Sequence, residues 1–154
     1  VASGTALAAG TGFSPMMLAL NRALARITPR LRLVGLPREG ISRDPAWSAW
    51  GDVDPLVSRQ RATARLGNEL LTALQHVREQ VDRIAVPLLV LHGTADKLTD
   101  PEGAQLLYER ASSPDKTLRL YEGAFHELVN DLPDTRQAVL ADILGWVSER
   151  VAFR

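Results

Sequence analysis

Val86-Pro87-Leu88-Leu89-Val90-Leu91-His92-Gly93-Thr94-Ala95-Asp96 is the stretch that sets the fold class, and Leu118-Arg119-Leu120-Tyr121-Glu122-Gly123-Ala124-Phe125-His126 repeats its plan thirty residues on. Each is a short apolar run that ends in Gly and delivers one ionisable side chain just beyond. Val86–Leu91 is continuously apolar, as expected of a strand buried on both faces of a parallel sheet. The second run alternates, with Leu118 and Leu120 opposite Arg119 and Tyr121, which places it nearer an edge. Parallel sheets present their chemistry on the loops after the carboxyl ends of strands. Asp96 and His126 are therefore expected to meet on one face of an α/β sheet.

The surroundings continue a β-α-β-α pattern from about residue 84. Asp100-Pro101-Glu102 reads as a helix start, with a capping Asp, Pro at the first position and an acid in the first turn. Leu106, Leu107 and Ala111 of that helix face the sheet. A last helix starts near Pro133, with Val139, Ile143, Val147 and Val151 as its buried stripe. Upstream, residues 1–12 read as the end of a core strand and a loop, and residues 13–82 contain no convincing strand. Ser14 can cap a helix with Pro15 at its first position, and Met17, Leu20, Leu24 and Ile27 share one face of it until Pro29. Leu66, Leu70, Leu74 and Val77 line a second helix. The expected units are thus 1–12, a mostly helical 13–82, and an α/β segment over 83–154.

Two strands and a stub do not complete a sheet. The inner edge of Val86–Leu91 would stand bare, an aggregation template, so further strands are expected ahead of Val1. The opening Val1-Ala2-Ser3-Gly4 carries no initiator Met and no signal-peptide pattern. It reads as a cut.

Composition narrows the function. The 154 residues carry 18 basic and 18 acidic side chains, scattered and summing to zero, so nucleic acid is not an expected partner. The chain has no cysteine, hence no disulfide framework, thiolate metal site or cysteine nucleophile. No apolar run approaches the roughly 20 residues that span a bilayer. The expected location is the cytoplasm or a membrane periphery.

Asp96 and His126 follow the order of the second and third members of a Ser…Asp…His triad. A carboxylate in that role fixes the imidazole tautomer, and imidazole is a general base near neutral pH with little tuning. Taken singly, Asp96 could be a loop residue and His126 a solvated one; their matched positions at successive strand ends favour the paired role. His76 lies on the polar side of a helix. His92 and Asp96 have a spacing that would suit a metal only on a helix, and Gly93 breaks that run, so no metal is expected and His92 is placed at the floor of the site. A nucleophile elbow needs Gly-x-Ser-x-Gly between strand and helix. Gly12-Phe13-Ser14-Pro15-Met16 and Gly40-Ile41-Ser42-Arg43-Asp44 each lack the second Gly and follow no strand, and both are rejected.

The two strand-end segments, through Leu98 in the first and Leu128 in the second, closely resemble the acid and histidine segments of bacterial monoacylglycerol lipases, within the α/β-hydrolase superfamily. Ser42-Arg43-Asp44-Pro45 and Asp54-Pro55-Leu56-Val57 resemble that family's return from cap to core. The resemblance implies the C-terminal part of an α/β-hydrolase fold, a parallel sheet flanked by helices with a mostly helical cap. It implies a serine-type carboxylic ester hydrolase acting on a lipid ester, without cofactor. Asp96 and His126 would be catalytic, and the nucleophilic serine would lie outside this sequence. Phe13, Met16, Met17, Leu20 and Leu24 would offer the cap's apolar surface to the acyl chain and to a membrane periphery, and Leu98 would line the pocket. The alternatives are a small-ester, peptide or epoxide hydrolase, or a non-catalytic fragment that needs a companion chain.

Overall fold

The structure is a computed structural model that describes residues 1–7, 15–35, 40–58 and 60–151. Its centre is a three-stranded parallel sheet of order β1-β4-β5, built from β1 (Ala2–Ser3), β4 (Leu88–Gly93) and β5 (Lys116–Tyr121). β4 starts two residues later than its apolar run. Pro87 cannot donate to a ladder, and the first sheet bond beyond it runs from Leu88 N–H to the Asp115 carbonyl. At its other end β4 extends through His92 and Gly93, which carries the strand to the site. The inner edge of β4, expected to be bare, takes β1 opposite Val90 and Leu91.

Side-chain alternation along β4 sorts two apolar layers. Leu88 and Val90 pack with Leu7, Val81, Ala104, Leu107 and Ala111, which seats helix α4 (Glu102–Arg110) on one face. Leu89 and Leu91 pack with Ala124, Leu128 and Val139 below helix α5 (Pro133–Arg150) on the other. Full burial of each such side chain stabilises the fold by about 1.5–3 kcal/mol. α4 starts one residue later than expected, with Pro101 at its N-cap and not its first position, and Asp100 Oδ1 accepts the Glu102 N–H at 3.0 Å just ahead of it.

The buried face of α5 departs from the expected stripe. Val139 and Ile143 hold their places, but Val147 and Val151 are exposed and Trp146 packs inward instead. Steps of four residues drift by about 40° each on a 3.6-residue helix, whereas a step of seven nearly returns to the same face. Trp146, seven beyond Val139, keeps the face that Val151 has left.

Residues 15–35 and 60–79 form a second packed unit. Helices α1 (Pro15–Ile27) and α3 (Ala64–Glu79) lie against each other, and helix α2 (Pro45–Val53) lies between them in sequence. Thr63 caps α3, accepting the Leu66 N–H at 3.2 Å. Contrary to the expectation of no strand here, β2 (Arg32–Val34) and β3 (Ala62–Thr63) pair antiparallel. Runs of two and three residues are too short to show a period of two, so the pairing left no pattern to read. They form their own sheet, apart from β1-β4-β5. No helix of the described residues is long and apolar enough to cross a membrane.

Candidate active site

The loops after β4 and β5 are zipped together by backbone. Thr94 N–H donates to the Tyr121 carbonyl and Ala95 N–H to the Ala124 carbonyl, both at 3.0 Å. Thr94 Oγ1 accepts the Gly123 N–H at 2.8 Å. The approach is so close that a Cβ at Gly93 would fall 2.3 Å from the Ala124 carbonyl oxygen and 2.4 Å from that of Phe125. Gly93 is therefore required by contact, which explains why the apolar run ends there.

This zipper brings Asp96 and His126 together. His126 Nδ1 lies 2.8 Å from Asp96 Oδ2, with the carboxylate buried and the imidazole partly exposed. Four further donors surround the same carboxylate. Oδ1 accepts the N–H groups of Leu98 at 2.8 Å and Thr99 at 3.1 Å. Oδ2 also accepts the Thr99 hydroxyl at 2.8 Å and faces His92 Nε2 at 3.2 Å. Burial works against ionisation of Asp96, but the hydrogen bonds from His126, His92, Thr99 and Leu98 outweigh it and hold the carboxyl well below the usual carboxylate range.

An ionised carboxylate only accepts, so His126 Nδ1 must carry the proton it shares with Asp96. In the neutral ring, Nε2 is then the basic nitrogen. The hydrogen bond to Asp96 pushes the His126 pKa above its ordinary 6.5, against the opposing effect of burial, and the charges of Asp96 and Glu127 add to the rise. The arrangement can take a proton at Nε2 and stabilise the resulting imidazolium.

The remaining site candidates are less gathered. Leu98 is half-buried beside Asp96, and Leu24 is half-buried on α1. Met16, Met17 and Leu20 are exposed on α1. Phe13 and Ser14 lie outside the described residues. Ser42 is buried, its hydroxyl donating to the Asn130 carbonyl at 2.6 Å and accepting the Asp44 N–H at 3.0 Å, which fits a structural role. Sequence reasoning passed over Thr99 and Gly4. Thr99 follows the acid by three residues, a helix-cap-like spacing that could have marked it as a donor. Gly4 reaches the site only through long-range packing.

A family model described as serine aminopeptidase, S33, matches residues 1–133. The chain is 38% identical over 131 residues to human monoglyceride lipase, covering 85% of this chain and 43% of that protein. It is 33% identical over 147 residues to monoacylglycerol lipase of Mycolicibacterium smegmatis, covering 96% of this chain and 52% of that one. The chain thus spans about half the length of these curated relatives. The crystal structure of Paleococcus ferrophilus monoacylglycerol lipase superposes with a TM-score of 0.82 at 35% identity, over 95% of this chain and 57% of that one. The parallel sheet with helices on both faces is the C-terminal part of the fold these proteins share. The chain belongs to the serine aminopeptidase S33 family, as a monoacylglycerol lipase-like α/β-hydrolase.

Proposed function

We propose that the protein is a serine-type carboxylic ester hydrolase acting on monoacylglycerols, with Asp96 and His126 as two members of its triad and the nucleophilic serine outside this sequence. The observation that carries this reading is the 2.8 Å contact between His126 Nδ1 and Asp96, which leaves Nε2 as the base. The serine hydroxyl adds to the ester carbonyl as His126 Nε2 takes its proton. The imidazolium, stabilised by Asp96, then protonates the departing glycerol oxygen. Water, deprotonated by the same nitrogen, releases the fatty acid and restores the serine.

In this reading residues 13–82 form a cap and its return to the core, between a core strand end at 1–12 and the C-terminal core at 83–154. The apolar side chains of Phe13, Met16, Met17, Leu20, Leu24 and Leu98 contact the acyl chain. The exposure of Met16, Met17 and Leu20 supports that assignment and supports contact with a lipid surface. Methionine is adaptable enough to line such a pocket.

The test is turnover by the full-length protein on monoacylglycerols of graded chain length, beside a short ester, an aminoacyl peptide and an epoxide. Preference for the long-chain esters is expected. Hydrolysis of the peptide or epoxide alone would overturn the reading.

A further inference from the structure

The backbone is tethered on both sides of His126, once from another segment and once from the far end of its own loop. Glu127 N–H donates to the Ile41 carbonyl at 2.8 Å. Phe125 N–H donates to Asp131 Oδ2 at 3.1 Å. Asp131 is fully buried, and its other oxygen accepts Arg43 Nε at 2.8 Å and its neighbour's Leu132 N–H at 2.7 Å. The Arg43 guanidinium is fixed in turn by a 2.8 Å bond from Nη2 to Thr135 Oγ1. Residues 40–44 also touch the acid's loop: a Cβ at Gly40 would fall 2.8 Å from Lys97 Cβ, and Lys97 Nζ stands 5.3 Å from the centre of the Phe125 ring. One short segment, joining the helical unit to α2, thus braces the loops of both Asp96 and His126.

We propose that Arg43 and Asp131 are positioning residues that hold His126 in register with Asp96. A buried carboxylate needs a paired charge and filled hydrogen-bond positions to remain where it is. Arg43 supplies the charge through its Nε–H bond to Oδ1, which holds the carboxylate with Oδ2 turned to the Phe125 N–H. Releasing that N–H frees the backbone next to the imidazole. A displacement of about 1 Å in a catalytic group is enough to lower turnover about 100-fold.

This proposal rests on the hydrolase reading for its kinetic arm only. The full-length protein is compared with its Arg43→Gln, Asp131→Asn and Thr135→Val variants by kcat, KM and the low-field proton resonance of His126 Nδ1–H. Arg43→Gln and Asp131→Asn should broaden or lose that resonance and lower kcat about 100-fold, with KM changed less than threefold. Thr135→Val, which removes only the outer bond of Arg43, should lower kcat several-fold and keeps the test open if the stronger variants fail to fold. Arg150→Gln removes an ion pair with Asp115 at the far end of α5 and should leave resonance and kcat as in the parent. An unchanged resonance and kcat in folded Arg43 and Asp131 variants, or in Thr135→Val if only that variant folds, would overturn the proposal. A parent protein that hydrolyses no ester would instead defeat the functional reading, while the resonance still decides the positioning role.

Discussion

Gly4 lies against the ring of His126: a Cβ built on it falls 2.7 Å from Cε1 and 2.9 Å from Nδ1. Its φ of +60° is in the left-handed region, and its N–H donates to the Leu91 carbonyl at 3.1 Å. The end of β1 is thus a wall of the imidazole's seat, made of backbone because no side chain fits.

Gly4→Ala should therefore push the imidazole away from Asp96. We expect kcat in the full-length protein to fall about 100-fold by misplacement of the base, and stability to drop by about 1–2 kcal/mol from the left-handed backbone. Steady-state kinetics with chemical denaturation measure both. Unchanged kcat would show that the ring has room to spare.

Asp96→Asn removes the carboxylate that raises the His126 pKa and fixes its tautomer. Turnover should fall by about 10⁴, the loss seen for this change in another triad, and His126→Ala should be at least as damaging. In the parent, His126 is a base only above its raised pKa, so the acid limb of activity should lie above the ordinary imidazole value of 6.5. In Asp96→Asn the imidazole midpoint, followed by NMR titration, should move down. The linked stabilities have opposite signs: His126's contribution is complete below about pH 6.5 and fades as pH rises through its folded pKa, while Asp96's is present above about pH 3.8 and is lost only on acidification through its lowered one. A midpoint that stays put in Asp96→Asn would sever the pair.

The Asp96–His126 meeting was legible because two local signals, an apolar run and its terminal Gly, mark strand ends, and parallel strands bring consecutive ends together. The continuous apolarity of β4 likewise announced burial on both faces. What surrounds the pair was not legible. Arg43 and Asp131 stand 88 residues apart, and nothing local in either segment names the other. Gly4 looks like any loop glycine until His126 is packed against it. Met17, Leu20, Leu24 and Ile27 read as one face of α1, but periodicity does not say what covers a face: Leu24 is half-buried and the other three are exposed.

Thr99 offers a test with the opposite sign. Its hydroxyl donates to Asp96 Oδ2 at 2.8 Å. Thr99→Val keeps the shape and the backbone N–H but takes one donor from the carboxylate. The less satisfied carboxylate should favour the imidazolium more strongly, so the His126 midpoint should rise where Asp96→Asn lowers it. Loss of the buried bond should cost about 1–3 kcal/mol of stability. A fall in the midpoint would mean that the hydroxyl does not act through Asp96.

Two glycine substitutions separate contact from conformational freedom. At Gly93 the obstacles to a Cβ are the backbone carbonyls of Ala124 and Phe125 at 2.3 and 2.4 Å. These atoms belong to the loop that carries His126 and cannot rotate aside as a flexible side chain would. Gly93→Ala must pry apart the two zipped loops, losing the Ala95–Ala124 bond, and should destabilise by about 3 kcal/mol or more. Gly145, inside α5, has nothing within 4 Å of its Cβ position. There Ala only reduces the freedom of the unfolded chain and should stabilise by about 0.5–1 kcal/mol. Urea denaturation of both variants checks the contrast. Equal effects at the two sites would mean that the loops after β4 and β5 are not in the close contact that sets Asp96 against His126.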